Sequence, residues 1–439
     1  MELLNRVLDP VNINKAYKQV VGNKGSKGVD GVSTTQLQDY MQEHWDRIKQ
    51  EITVGHYQPQ AVLGVDIPKA SGGKRLLGIP TVPDRLIQQS IHQVLSPIFD
   101  VEFSEHSFGF RKGRSAHQAI LQSLRYINEG YQDIIDLDLK SFFDVVNQDF
   151  LMSLLYRKIK DKMLLKLIRR ILQSEIMLGG LSQQREKGTP QGSPLSPLLS
   201  NIILHELDKE LERRGLRFVR YADDCSIFLN SKRAARRVKR SITKFIETKL
   251  HLQVNEDKTT ICRPINFFTL SYGFVPTYKK GEKGKYDLRV SPRSFKRMKR
   301  KVKEITRKTS PVSFDERISQ LRAFTRGWVN YYKYAHVSVK LNEVDGWVRN
   351  RLRYCIWKHW KKPNKRMRSF IRLGVPPGQA YTWSRSRMGG WAIAQSPIMG
   401  TTVTLEVLRM KGYLSFSEQF LKSRQSVPNA TQLQLSFIR

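Results

Sequence analysis

FVRYADDCSIFL, residues 218–229, is a run of β-formers broken by two adjacent carboxylates, Asp223 and Asp224. Phe218, Val219 and Tyr221 lead in, and Ile227, Phe228 and Leu229 lead out. The pattern predicts a β-hairpin with the acids at its tip or just past it. Asp is a common turn residue, and an Asp pair in a turn is ordinarily solvated and chemically idle. The rest of the chain has to say whether this pair differs.

The chain has 439 residues, enough for two or three domains with substantial cores. Its 76 Lys and Arg face 39 Asp and Glu, a formal net charge of +37. That excess excludes an ordinary metabolic enzyme, because so basic a protein repels itself unless it meets a polyanion, most commonly nucleic acid. A membrane surface is the competing polyanion. No segment holds 18 apolar residues, however, and MELLNRVLDP lacks the core of a signal peptide. Cys225, Cys262 and Cys355 are far apart and form no CxxC pair, which argues against a zinc knuckle or disulfide framework. The expectation is a cytoplasmic, nucleoid-associated protein with no membrane partner.

Residues 1–60 read as helical around a Gly- and Lys-rich loop, GNKGSKGVDGVS (22–33). IPKASGGKRLLGIP (67–80) reads as a hairpin turning at Ser71-Gly72-Gly73. Helical periodicity covers 84–99, 149–178, 195–212 and 233–250, and IIDLDL (134–139) is a short apolar strand carrying Asp136 and Asp138. Segment 291–310 has nine Lys/Arg and one acid, and segment 347–372 has ten and none. Both keep an apolar stripe, so they predict amphipathic helices with strongly positive outer faces. The tail QSVPNATQLQLSFIR is polar and expected to be loose.

Asp138, Asp223 and Asp224 form the chemical constellation. Charge inside an apolar strand is costly unless paired or bound to metal, and IIDLDL has no Lys or Arg of its own. A divalent cation resolves the problem for all three acids if the two elements lie side by side. Hard oxygen ligands favour Mg²⁺, and two ions imply phosphoryl or nucleotidyl transfer.

YADD (221–224) resembles the metal-binding hairpin of reverse transcriptases. DLDLKSFFD (136–144) resembles their first metal-binding strand, and GTPQGSPLSPLLSN (188–201) the loop and helix beneath the incoming nucleotide. IPKASGGKRLLGIPTVPDRLIQQSI (67–91), HSFGFRKGRSAHQAI (106–120) and RGWVNYYKYA (326–335) are similar to the fingers and thumb of group II intron reverse transcriptases, or maturases. The likeness covers about residues 5–420, with nothing matching the Cys-rich endonuclease domain that some members append. It suggests a compact, bacterial class C-like type.

The resemblance implies an α+β right-hand polymerase, its fingers and palm built of antiparallel sheet and packed helices, followed by an α-helical thumb or maturase domain. The expected divisions are an N-terminal extension (1–62), fingers and palm (63–290), thumb/maturase (291–372), a DNA-binding region (373–422) and a flexible tail (423–439). It further implies that Asp138, Asp223, Asp224 and the Leu139 carbonyl hold two Mg²⁺ ions, with Asp136 a competing ligand. Lys69 and Arg75 would clasp the dNTP triphosphate. Phe143 would act as a steric gate against a 2′-OH, while Phe142 is simply core. Gln191 and Gly192 would approach the nucleotide, Ile79 and Pro80 the templating base, and Tyr221 and Ala222 the primer end. Lys258 would sit near the pyrophosphate. FFTLSYGF (267–274) departs from the family's primer-grip turn, so no primer-grip residue is assigned. Implied partners are group II intron RNA, an RNA template with DNA or RNA primer, target DNA and dNTPs. The rival readings are a reverse transcriptase recruited for repair, defence or a CRISPR array, a splicing cofactor with a decayed site, an RNA-dependent RNA polymerase, and a pure nucleic-acid binder.

Overall fold

The computed structural model describes residues 2–68, 72–277 and 284–425; Lys69 and most of the expected tail lie outside them. The chain divides into two units, one ending at Phe267 and the other starting at Phe268. This break precedes the expected boundary at 290, because the strands just after it pair only among themselves.

The first unit opens with α1 (Glu2–Leu8), α2 (Pro10–Gly22) and α3 (Leu37–Thr53). β1 (Val62–Pro68) and β2 (Lys74–Ile79) form the expected hairpin, with Ile67 opposite Arg75. α4 (Val82–Asp100), α5 (Ala116–Asn128), β3 (Asp133–Leu137), α6 (Phe142–Val145), α7 (Gln148–Lys158) and α8 (Lys162–Leu172) follow. The one helix expected over 149–178 is therefore two helices and a strand. Asp161 makes the break: its carboxylate accepts from Leu164 N at 3.2 Å to cap α8, and from Leu4 N at 3.0 Å to hold α1. β4 (Ile176–Leu178) pairs parallel to β1 and antiparallel to β5 (Leu181–Gln183), giving a sheet of order β2-β1-β4-β5.

α9 (Ser196–Arg213) leads to β6 (Arg217–Tyr221), β7 (Asp224–Leu229), α10 (Lys232–Lys249) and β8 (Thr260–Cys262). The second sheet runs β6-β7-β3-β8, antiparallel throughout. Its strands bury Ile135, Leu137, Phe218 and Ile227. They share one core with Leu95 of α4, Leu155 of α7, Ile168 of α8 and Leu207 of α9. Continuous burial fixes the register, because a one-residue slip would turn every apolar side chain outward.

In the second unit β9 (Phe268–Thr269), β10 (Tyr272–Pro276) and β11 (Tyr286–Val290) form an antiparallel sheet. The β9–β10 turn places Leu270 and Ser271 at φ +47° and +68°, and the Tyr331 hydroxyl donates to the Leu270 carbonyl at 2.7 Å. Among the described residues nine helices follow: α11 (Pro292–Ile305), α12 (Phe314–Tyr332), α13 (Ser338–His359), α14 (Pro363–Arg372), α15 (Pro377–Ser384), α16 (Gly390–Gln395), α17 (Pro397–Thr402), α18 (Leu405–Met410) and α19 (Phe416–Gln425). The basic run 347–372 thus spans the end of α13 and all of α14.

Lys358, Lys361, Lys362, Lys365, Arg368 and Arg372 are exposed and form the expected positive outer face, but two arginines of the run turn inward. Arg351 donates to Thr306 Oγ1 at 2.5 Å and to the Lys303 carbonyl at 3.1 Å, and Arg353 to the Val403 carbonyl at 3.0 Å. Guanidinium groups here satisfy carbonyls left open at helix ends. Asp345 of α13, 1% exposed, accepts from Tyr413, Ser415 and Ser417 hydroxyls and from the amides of Phe416 and Ser417 at 2.7–2.9 Å. It thereby pins the start of α19 to α13. No helix among the described residues is long and apolar enough to cross a membrane.

Candidate active site

The β6–β7 hairpin closes on a two-residue turn, Ala222-Asp223, with Tyr221 opposite Asp224. Ala222 sits at φ +57°, a conformation that costs a residue with a Cβ. A buried network holds it there. Arg220 and Asp208 are both fully buried and form a bidentate pair, Nε to Oδ1 at 2.7 Å and Nη2 to Oδ2 at 2.6 Å. Arg220 Nη1 also donates to the Ala222 carbonyl at 3.0 Å and to Asn201 Oδ1 at 2.9 Å. Asn201 in turn donates to the Gly109 carbonyl at 2.9 Å. Gly109 presses on the turn so closely that a Cβ built there would meet Ala222 N at 2.2 Å. Only glycine permits this approach.

The β3–β7 register brings the acids together. Leu137 lies opposite Cys225, so Asp138, one residue past β3 rather than within it, falls beside Asp224 at the same sheet end. Asp138 N donates to Thr259 Oγ1 at 3.2 Å, and its carbonyl accepts from Asn255 N at 2.9 Å. The neighbouring rung joins Lys140 N to the Gln253 carbonyl at 2.8 Å, which leaves the Leu139 carbonyl outside both rungs.

The acids feel one another. Burial, then Asp224, then Asp138 push Asp136 up to about 6. Asp224 is exposed by area, yet protein crowds its carboxyl. That desolvation, followed by repulsion from Asp223 and Asp138, raises it to about 6, with Lys258 opposing. Asp138 Oδ2 is buried without a hydrogen-bond partner, and the Lys258 ammonium lies 3.4 Å from it. Among the described residues no group of three His, Cys, Asp or Glu side chains stands in metal-holding geometry. The site is an electron-rich corner short of positive charge, which suits a cation whose remaining ligands come from a phosphate substrate.

This crowding has a measurable consequence. Carboxylates whose pKa is raised on folding add stability below their unfolded value, about 3.9 for Asp, and that contribution is lost as pH rises through about 6. The metal-free protein is expected to lose thermal midpoint between pH 5 and pH 7 more steeply than an Asp136→Asn variant. Identical pH profiles for the two chains would refute the coupling.

Around this corner, the loop 188–192 joins α6 to the β1–β2 hairpin. Thr189 N donates to the Phe143 carbonyl at 2.7 Å, and Gly78 N to the Gln191 carbonyl at 2.8 Å. A Cβ at Gly188 would meet the Phe143 carbonyl at 2.6 Å, and one at Gly192 the Gly78 carbonyl at 2.8 Å. Phe142 is core at 3% exposure, while Phe143 is half-buried with its ring 5.1 Å from that of Phe142. Arg75 is exposed and donates to Gln191 Oε1 at 2.5 Å; Gln191 Nε2 reaches Asp144 at 3.4 Å. Ile79 is half-buried and Pro80 buried, with Gly28 of the 22–33 loop against Pro80-Thr81. Sequence reasoning did not single out Arg220, Asp208, Asn201 or Gly109. The available signal was Asp208 on the stripe Leu204, Leu207, Leu211 of α9, where a buried charge requires a partner.

The model of the reverse transcriptase (RNA-dependent DNA polymerase) family matches residues 67–302, more than half the chain. The chain belongs to that family. This reverse transcriptase also matches the group II intron maturase-specific domain over residues 295–373. It is 30% identical to YkfC of Escherichia coli (strain K12) over 299 residues, 59% of this chain and 78% of that protein. Against the group II intron-encoded protein LtrA of Lactococcus lactis subsp. cremoris it is 35% identical over 206 residues, 47% of this chain and about a third, 34%, of LtrA. A solved chain of a partial Cas6-RT-Cas1–Cas2 complex covers 56% of the reverse transcriptase and 43% of itself at 24% identity; its TM-score of 0.37 is too low to carry an argument.

Proposed function

We propose that this chain copies RNA into DNA by magnesium-assisted nucleotidyl transfer and, as a group II intron protein, binds its intron RNA, assists splicing and primes DNA synthesis at a target site. The observation that carries the chemistry is the meeting of Asp138, Asp223 and Asp224 at one sheet end, two of them in register and the third on the adjoining turn. These acids and the Leu139 carbonyl would hold the ions, Asp223 being favoured over Asp224 as a direct ligand and Asp138 over Asp136. Bound magnesium would acidify the attacking hydroxyl and neutralise charge on the departing pyrophosphate.

The protein's own groups supply position and selection. Arg75 can leave Gln191 for triphosphate oxygens, its planar fork suiting bidentate contact. Lys69, outside the described residues, is proposed for the same triphosphate. Gln191 and Gly192 border the nucleotide, and Tyr221 and Ala222 back the primer end. Ile79 packs on the templating base; Pro80, being buried, supports it from beneath. Lys258 stands where a proton donor to pyrophosphate is needed, already beside Asp138. The division into extension (1–62), fingers and palm (63–290), thumb (291–372) and DNA-binding region (373–422) remains the proposed functional map. It runs alongside the two structural units.

Phe143 is proposed as the sugar gate. Phe143→Ala is expected to raise ribonucleotide incorporation by one to two orders of magnitude, about 1.4–3 kcal/mol of lost discrimination, with dNTP turnover largely kept. Competition of NTP against dNTP in primer extension measures this. Unchanged discrimination would return Phe143 to the core.

A further inference from the structure

α10 carries Lys232, Arg233, Arg236, Arg237, Lys239, Arg240 and Lys244, with no acid before Glu247. Ala235, Val238, Ile242 and Ile246 are buried, and the helix packs on β3, β7 and β8. At 3.6 residues per turn these four cover about 80° of the helix, and the exposed cations about 140° on the opposite side. Lys239 donates to the Thr259 carbonyl at 2.6 Å. The other six cations are exposed, and none has an ion-pair partner among the described residues.

This arrangement works against the helix that bears it. Lys232 and Arg233 occupy the first turn, against the positive end of the macrodipole. Lys232/Arg236, Arg233/Arg237, Arg236/Arg240 and Arg240/Lys244 are like-charge pairs four residues apart, which destabilise a helix. In the second unit Arg300 and Lys301 share Glu304, and Arg351 and Arg353 bond carbonyls, while Arg293, Lys296, Arg297 and Lys299 of α11 are, like the α10 cations, exposed with no ion pair among the described residues. A self-repelling ridge gains from a polyanion.

α10 starts three residues after β7 ends and runs back along the sheet; its inward Lys239 reaches the Thr259 carbonyl, next to the hydroxyl that meets Asp138 N, while the six exposed cations lie on the outer side of the helix. The ridge thus faces away from the sheet. It is therefore a surface separate from the acids. Unpaired strands are held by stacking on aromatic rings, and the ridge has none. Its straight run of about 18 Å suits a regular backbone.

We propose that the outer face of α10 holds the phosphate backbone of a double-helical RNA segment, apart from the catalytic corner. The choice of RNA rests on the polymerase reading above. The test compares the full chain with an Arg236→Glu/Arg237→Glu/Arg240→Glu variant. Binding to an RNA hairpin, a DNA hairpin of the same stem and an unstructured RNA oligonucleotide is measured across a salt series. Extension of a short primer–template is assayed in parallel.

The variant is expected to bind the RNA hairpin about 100-fold more weakly at physiological salt, with the log–log salt slope flattened by about two to three. Extension at saturating primer–template should be unchanged. Unaltered hairpin affinity and slope would overturn the proposal. Equal losses on DNA would overturn its assignment to RNA, and a larger loss on the oligonucleotide its assignment to a duplex. Loss of extension in a folded variant would place the ridge in the catalytic path instead. If the variant misfolds, Arg236→Gln/Arg237→Gln/Arg240→Gln gives the same slope readout. An unsubstituted chain that fails to extend any primer would strike the polymerase reading alone.

Discussion

An Asp223→Asn chain is expected to lose RNA-templated primer extension by at least about a thousandfold, some 4 kcal/mol of barrier, without losing stability. The two readouts separate a chemical role from an architectural one. Asp223 is half-buried at a hairpin tip, and Asn keeps its size and turn preference. Repulsion from Asp223 also helps push Asp224 up to about 6, so removing one charge eases the corner. The thermal midpoint at neutral pH should hold or rise, while extension disappears and RNA binding persists. Retained extension would dismiss Asp223 as a participant. A lowered midpoint would make the acid part of the scaffold.

The second large effect lies behind the turn. Arg220→Met strands the Asp208 carboxylate, with neither residue exposed. Removing one partner of a buried pair costs about 3–5 kcal/mol. Thermal unfolding followed by circular dichroism should show a much lower midpoint for the first unit. Adding Asp208→Leu should restore part of that stability, since no lone charge then remains. It should not restore extension, because the Ala222 carbonyl has lost the donor that sits 3.0 Å away. A single variant as stable as the parent, or a double variant that polymerises normally, would show that the pair does not hold the turn.

Where the sequence was readable, periodicity made it so. Alternation around Asp223 and Asp224 gave the hairpin, and the apolar run at 134–139 gave the strand, though Asp138 falls just beyond β3. The 149–178 region misled because its apolar spacing continues through a break that only Asp161, reaching back to Leu4, reveals. The 347–372 run was legible in part: Lys361, Lys362, Lys365, Arg368 and Arg372 are exposed as expected, whereas two arginines of α13 are not. Composition records charge but not what satisfies it, and Arg351 and Arg353 turn to carbonyls 45 to 50 residues distant in sequence. The Arg220–Asp208 pair was hidden for a related reason: each residue looks ordinary until the fold brings them together. The break after Phe267 depends on which strands pair, and local pattern does not encode that.

Gly109 lies 113 positions before Ala222 and offers no functional group, yet it leaves no room for one additional carbon against that residue's amide. Its influence on the reaction is purely subtractive. The smallest possible enlargement there would be transmitted as a displacement of the hairpin tip, so a chemically inert site can govern turnover through bulk alone.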